Sequence, residues 1–143
     1  MSQQQFLAAI ITFLGGCILY VAGKVIEKNN INKAILAEIK RLLKAVTAHE
    51  KWWAARIEAK DTNYPLVPFK IDVYAAQINS IGMLKRDLIV HVVEFYGYLQ
   101  FINSIQGFRD QYVKEGKSDQ YNDFYHKLLK NIIRDFSTVF EAA

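Results

Sequence analysis

The chain opens on an unbroken apolar stretch. From Phe6 to Gly23 the sequence reads FLAAIITFLGGCILYVAG and contains no charged side chain. Val25 and Ile26 extend the stretch beyond Lys24, whose long stem lets its charge reach polar surroundings. About 20 apolar residues, each rising 1.5 Å along a helix, match the thickness of a bilayer's hydrocarbon core. The pattern predicts a membrane-spanning helix, with residues 1–28 as an anchor.

A cleaved signal peptide is the main alternative for this stretch. Signal peptides carry a positively charged start, a shorter apolar core and a small-residue cleavage site. Residues 1–5 read MSQQQ, without a charged side chain, and the apolar core is longer than that class requires. Ala22-Gly23 imitates a cleavage site, but the other two features favour an uncleaved anchor.

Beyond the anchor, helical periodicity replaces continuous hydrophobicity. Polar positions such as Lys33, Glu38 and Lys44 fall mostly off one apolar face, which predicts an amphipathic helix over residues 30–60. The apolar face comprises Ile31, Ile35, Ile39, Leu42, Val46, Trp53 and Ile57. Asn29-Asn30 is either a hinge or part of one helix shared with the anchor, because asparagine costs well under 1 kcal/mol in a helix interior.

Two prolines interrupt the helical periodicity. Pro65 and Pro68 disfavour helix at the residues before them, so residues 61–69 are expected to form a loop. After the loop, Asp72 is expected to cap a short helix that runs to Ile81 and ends at Gly82.

Two further helices complete the chain. One is expected from Lys85 to Glu115, with Gly107 as a position for a kink. Its main apolar seam is Leu88, Val92, Phe95, Leu99 and Ile102. Residues 116–118 form a turn, and Ser118 or Asp119 is expected to cap the last helix. The apolar residues of that helix are Tyr121, Phe124, Tyr125, Leu128, Ile132, Phe136 and Val139.

No strand pattern competes with these helices. The predicted fold class is therefore all-α. One N-terminal transmembrane helix (residues 1–28) precedes a cytoplasmic bundle of three long helices and one short helix (residues 29–143).

Charged residues are absent from the apolar stretch and begin at its C-terminal end, as expected for a membrane anchor. All 18 Lys and Arg residues, and all 14 Asp and Glu residues, lie from Lys24 onward. Lys24 and Lys28 flank the apolar stretch on its C-terminal side, and no cation precedes it. The positive-inside rule predicts a single-pass protein of the inner or plasma membrane, with its N-terminus outside and its C-terminal domain in the cytoplasm. The net charge of +4 fits an anionic membrane or an acidic partner, but does not by itself indicate nucleic-acid binding.

Small residues recur along the apolar stretch at helical spacing. Ala9, Thr12, Gly16, Leu19 and Gly23 follow one another at intervals of three and four residues. Helices associate in lipid by close backbone approach, which small side chains permit, so this seam predicts a homo-oligomer. The alternative is that glycine and alanine are simply common in transmembrane helices. The apolar stretch has no charged residue to line a conducting path.

Catalytic and metal-binding motifs are scarce. Cys17 is the only cysteine, which excludes a disulfide or a thiolate metal site within one chain. His49, His91 and His126 are far apart in sequence, so we expect no metal site and no cofactor. The adjacent Trp52 and Trp53 are expected to divide, with one ring in the core and the other outside.

Arg86 and His91 form an R-x4-H pair near a predicted helix start. The pair resembles the signature of HEPN domains, helical bundles that often act as RNA-cleaving dimers. The resemblance implies catalytic roles for Arg86 and His91, with Asp87 as the polar residue after the arginine. In a regular helix, however, residues five apart lie about 140° apart around the axis, so convergence needs a non-helical first turn or a second subunit. A structural histidine beside the apolar seam is the alternative for His91.

Two broader resemblances concern the layout of the chain. The short length, N-terminal span and R-x4-H pair resemble the membrane-anchored, pore-forming accessory proteins of type VI CRISPR systems. Residues 72–103, with the pattern D-x-Y…IG-x-L…FYGYLQFIN, look like small bacterial membrane-anchored helical proteins of unassigned activity. The second resemblance implies no catalytic residue.

Three functional hypotheses follow. The first is a homo-oligomeric membrane-anchored scaffold or effector, of the kind that serves as a pore-forming accessory in bacterial or phage defence. The second is a HEPN-like ribonuclease using Arg86 and His91. The third is a ligand-sensing cytoplasmic domain coupled to the span. The expected partners are the lipid bilayer and further copies of the chain, while a protein partner, RNA or a nucleotide ligand stay open.

Overall fold

The computed structural model describes residues 2–61 and 66–143, and this part of the chain is helical without strands. The helices are α1 (Gln3–Glu58), α2 (Asp72–Gln77), α3 (Arg86–Gln106), α4 (Arg109–Lys114) and α5 (Ser118–Glu141), with a 3₁₀ turn (Ile78–Met83) between α2 and α3. The predicted all-α class is confirmed. Residues 62–65 of the predicted loop lie outside the described residues, and its other residues, 61 and 66–69, are non-helical as predicted.

Helix α1 is continuous from the apolar stretch into the bundle. Asn29 and Asn30 lie inside it, so the alternative of one uninterrupted helix holds. Its start is fixed by a capping box, in which the Gln5 N–H donates to the Ser2 Oγ and the Ser2 N–H donates to the Gln5 Oε1. Its end turns at Lys60, whose φ of 54° is in the left-handed region that usually favours glycine.

The second half of α1 packs with α3 and α5 around one core. Helix α5 runs antiparallel to α1, because Trp53 meets Asn122 while Glu50 meets His126. Helix α3 is antiparallel to α5, with Phe95 beside Phe140 at one end and the Tyr121 hydroxyl on the Ile105 carbonyl at the other. The predicted apolar face of α1 is buried from Ile31 to Trp53, and Ile57 is half-buried.

The short helix after the loop differs from the prediction at both ends. Asp72 is the first helical residue rather than the cap, and the capping position, Ile71, offers no side-chain hydrogen bond. The free N–H groups of Val73 and Tyr74 are instead bonded by Glu38 of α1. The α-helix ends at Gln77, and a 3₁₀ turn continues through Gly82 to Met83.

The helix predicted over residues 85–115 is divided at Gly107, the position at which a kink was expected. There the N–H groups of Gly107 and Phe108 bond to carbonyls three residues back, which tightens the backbone out of α-helical geometry. A Cβ at Gly107 would lie 3.3 Å from the Ser104 carbonyl oxygen, so glycine suits this turn. The break divides the segment into α3 and α4.

Helix α5 starts at Ser118, and the prediction that Ser118 or Asp119 caps it is also wrong. The capping position is Lys117, without a side-chain cap bond. The preceding turn is set by Gly116, at φ 71°, with the Lys117 N–H donating to the Tyr112 carbonyl. On α5 itself, Tyr125, Ile132 and Phe136 are buried, and most of the remaining predicted apolar residues are at least half-buried. Phe124 is 48% exposed.

Candidate functional site

The first half of α1 has no cover within the chain. Residues 2–30 are exposed along their whole length, apart from a half-buried Gly15. The large exposed apolar side chains there are Phe6, Leu7, Ile10, Ile11, Phe13, Leu14, Ile18, Leu19, Tyr20, Val21, Val25 and Ile26. By length and composition α1 and α3 are both apolar enough to cross a membrane, but α3 places Val92, Phe95 and Leu99 in the bundle core.

The predicted seam residues lie together on this uncovered half. Ala9, Thr12, Gly16, Leu19 and Gly23 are all exposed, and a Cβ added at Gly16 or Gly23 would meet no atom within 4 Å. The Thr12 hydroxyl donates to the Ala8 carbonyl at 2.9 Å, so it is satisfied within the helix. The described residues therefore leave space beside Gly16 and Gly23, as they do beside Gly15.

The flanking cations mark the end of this half. Lys24 forms an ion pair with Glu27, with Nζ and Oε2 3.0 Å apart, and both side chains are about half exposed. Lys28 is exposed four residues later.

The predicted R-x4-H pair is not assembled within the chain. Arg86 is the first residue of α3 and is exposed, while His91 is half-buried further along the same regular helix. No hydrogen bond joins them among the described residues. The regular helix keeps their side chains about 140° apart around its axis. A shared site at these two residues would need a contribution from a second chain.

The other two histidines connect α1 to α5. His49 Nε2 lies 2.9 Å from the Tyr125 hydroxyl, which also accepts a hydrogen bond from the Gln106 amide. The Tyr125 hydroxyl therefore links Gln106 of α3 to His49 of α1, and the direction of its bond to His49 follows the tautomer of the imidazole. Burial lowers the pKa of His49 and raises the pKa of Tyr125 to about 12, so both stay neutral near pH 7.

His126 forms a separate contact with Glu50, with Nε2 and Oε1 2.7 Å apart. Both side chains are largely buried, and the contact lies one residue along each helix from the His49–Tyr125 pair. Among residues 2–61 and 66–143, no three His, Cys, Asp or Glu side chains gather closely enough to hold a metal ion.

Glu38 is a buried carboxylate that sequence reasoning missed. It is 5% exposed and accepts hydrogen bonds from the Val73 and Tyr74 N–H groups and, at 2.7 Å, from the Tyr96 hydroxyl. Burial, and then the bond to Glu38, raise the pKa of Tyr96, so this hydroxyl keeps its proton. A charged residue next to an apolar face gives no sequence signal for such burial. The arrangement joins α1, α2 and α3, and all its polar atoms have partners.

The prediction for the two tryptophans is confirmed for Trp53 in the core, whereas Trp52 packs against the core rather than lying outside it. Trp53 is fully buried and its indole N–H donates to the Asn122 carbonyl at 3.4 Å. Trp52 is half-buried, with its ring 5.6 Å from the His49 ring.

Two of the surface grooves on the described part of the bundle have volumes above 600 Å³. One, of about 630 Å³, is lined by aromatic residues of α3 to α5, including Phe101, Phe108 and Phe124. The other, of about 620 Å³, lies between α1 and α5 and is lined by Lys40, Leu43, Lys44, Thr47, Ala48, Lys51, Ser137 and Glu141. The sequence contains a signal for the second groove that the sequence analysis missed. Lysines occur at positions 33, 40, 44 and 51, a spacing of seven, four and seven residues.

No protein-family model, no curated protein and no solved structure matches this chain.

Proposed function

We propose that this chain is a single-span membrane protein that self-associates through its span and carries a cytoplasmic helical bundle as a scaffold or effector. The observation that carries the proposal is the uncovered first half of α1. Burying an apolar side chain is worth about 1.5–3 kcal/mol, so a dozen large ones left in water would be very costly. A bilayer removes that cost without any further contact from the chain.

The backbone of this half also suits a bilayer. All N–H and C=O groups inside a helix bond to one another, which is the requirement for crossing a hydrocarbon layer. Lys24 and Lys28 lie where the apolar stretch ends, and they favour a cytoplasmic location for the bundle.

Self-association is supported by the open seam. Gly16 and Gly23 have no atoms near the position of a Cβ, so a second helix could approach the backbone there. Close approach of this kind drives helix pairing in lipid, where apolar burial offers no advantage. The absence of charge from residues 2–23 favours a scaffold over an ion-conducting pore.

The continuity of α1 couples the proposed span mechanically to the bundle. With no break at Asn29-Asn30, any rotation or pairing of the spans is passed directly to the bundle. Subunits assembled through the seam would therefore hold their bundles in a defined relative orientation.

Adjacent glycines provide a matched experiment. Gly16 lies on the seam, whereas Gly15 lies about 100° around the helix at the same membrane depth. Native mass spectrometry or crosslinking of the full chain in detergent should show oligomers that Gly16→Leu disrupts and Gly15→Leu preserves. A strict monomer in the wild type, or equal behaviour of the two variants, would contradict self-association through this seam.

A further inference from the structure

The cytoplasmic half of α1 carries a row of lysines on its solvent side. We define the lysine face as Lys33, Lys40, Lys44 and Lys51, all of which are exposed. At 100° per residue the four positions fall within about 40° of one another, and the row is about 27 Å long. The groove between α1 and α5 lies along Lys40, Lys44 and Lys51.

The charge on this face is not balanced. No acidic residue occurs three or four positions from any of the four lysines, although such pairs stabilise exposed helices. Lys40 and Lys44 are themselves four apart and repel each other. Among the described residues none of the four forms an ion pair, whereas Lys24 and Lys117 each do. Glu141 of α5 is the one carboxylate lining the described groove.

With the first half of α1 in the bilayer, as proposed above, the lysine face lies too far from the membrane to bind lipid headgroups. Lys51 lies 27 positions after Lys24, or about 40 Å along a continuous helix. The headgroup layer is about 5–8 Å thick and the Debye length is about 8 Å. Lys33 alone lies near that range, so a ligand spanning the row must be soluble.

The chemistry of the face favours phosphate over a protein partner. Protein interfaces rely on buried Trp, Tyr and Arg and are depleted in lysine. Here the residues between the lysines are small, such as Ala37, Thr47 and Ala48. Lysine binds phosphate as a point charge. A single compact phosphate would reach only Lys40 and Lys44, whereas a phosphodiester strand reaches the whole row.

We propose that the lysine face binds the phosphate backbone of a nucleic acid, without reading its sequence. No aromatic ring lines the groove to stack a base, so the phosphates carry the binding. The row of four lysines predicts about four phosphate contacts.

The test is the salt dependence of binding by the full chain in uncharged detergent micelles. The probe is a fluorescein-labelled oligo(dT) of about 20 nucleotides, titrated from about 50 to 200 mM salt. Four contacts on a single strand predict a slope of log K against log salt of about −3. Lys44→Gln with Lys51→Gln should reduce the slope to about −1.5, because two contacts are lost.

Matched control variants distinguish binding at the lysine face from a general effect of the protein's positive charge. Lys85→Gln with Lys114→Gln removes the same charge from other exposed positions and should leave the slope unchanged. Glu141→Gln removes the repelling carboxylate and should tighten binding about two- to fivefold. Tryptophan fluorescence during urea unfolding checks that each variant keeps the fold.

Three outcomes would overturn the proposal. They are no binding of oligo(dT), equal slopes in the two double variants, and stronger competition by polyglutamate than by oligo(dT) at equal charge. The last outcome would indicate an acidic protein as the ligand. Because the assay contains no bilayer and needs no oligomer, its failure is distinguishable from failure of the proposed self-association.

Discussion

The two halves of α1 share one backbone helix but differ in what surrounds their apolar side chains. In the second half, Ile35, Ile39 and Val46 are fully buried against α3 and α5. In the first half, Phe13 is 71% exposed and Leu19 is 74% exposed, so the described residues leave both side chains largely uncovered. The helix continues through both halves, whether or not its side chains are covered. Leaving apolar side chains in water, however, costs free energy. The comparison shows that the first half needs an environment from outside the chain.

The halves also differ in how charge is arranged. The first half carries none before Lys24, and its flanking Lys24 is paired with Glu27. The second half carries exposed lysines on one face and buries the carboxylate of Glu38 on another. The first half is thus apolar and uncharged, whereas the second half combines a buried apolar face with exposed lysines.

The largest expected effect comes from making the same substitution in the bundle core and in the first half of α1. Phe95→Ala empties a fully buried position and should lower the free energy of unfolding of the bundle by about 3–5 kcal/mol. Phe13→Ala removes an exposed ring from the first half of α1 and should change it by less than about 0.5 kcal/mol. Urea unfolding in detergent, followed by the fluorescence of Trp52 and Trp53, measures both. Equal losses would mean that the two halves unfold as one unit.

A smaller effect is expected at the buried carboxylate. Glu38→Gln places an amide NH₂ against donors and leaves a buried N–H group without an acceptor, which should cost about 2 kcal/mol. Glu94→Gln, at an exposed position of α3, should change stability by less than about 0.5 kcal/mol. Hydrogen exchange should show that the loss is concentrated in α2. Unchanged protection of Val73 and Tyr74 would contradict the capping role of Glu38.

The smallest effect concerns pH. Burial lowers the pKa of His49 below its ordinary value of 6.5, so the unfolded chain binds a proton before the folded bundle does. The stabilisation is therefore complete above about pH 6.5 and is lost as pH falls, with a slope of at most about 1.4 kcal/mol per pH unit. His49→Gln should flatten the acid side of the stability curve, and a difference between wild type and variant that does not depend on pH would refute the assignment.

Much of the fold was predictable because it depends on local periodicity. The stripe from Ile31 to Trp53 and the seam from Val92 to Ile102 are buried as the spacing of apolar residues predicts. The prolines correctly indicated the non-helical segment at residues 66–69. The cap residues were predicted less well. Asp72 and Ser118 each begin a helix without capping it, and at α2 Glu38 bonds the free N–H groups instead.

The candidate sites, too, were predictable only where their residues lie within a single helix. The seam from Ala9 to Gly23 and the flanking lysines follow from sequence, because both lie within a single helix. The environment of Glu38 does not, since its partners Val73 and Tyr96 are 35 and 58 positions away. The R-x4-H pair stays a prediction that the fold of one chain does not assemble.

The sequence by itself determined the helices and the uncovered apolar half of α1, because periodicity and hydrophobicity act within a few turns of backbone. Tertiary structure decided the rest. It turned Glu38 of α1 into the cap of the distant helix α2. It also placed Ser137 and Glu141 of α5 beside the lysines of α1, whose common face follows from their spacing along one helix. These outcomes depend on packing between distant segments, which no local pattern encodes.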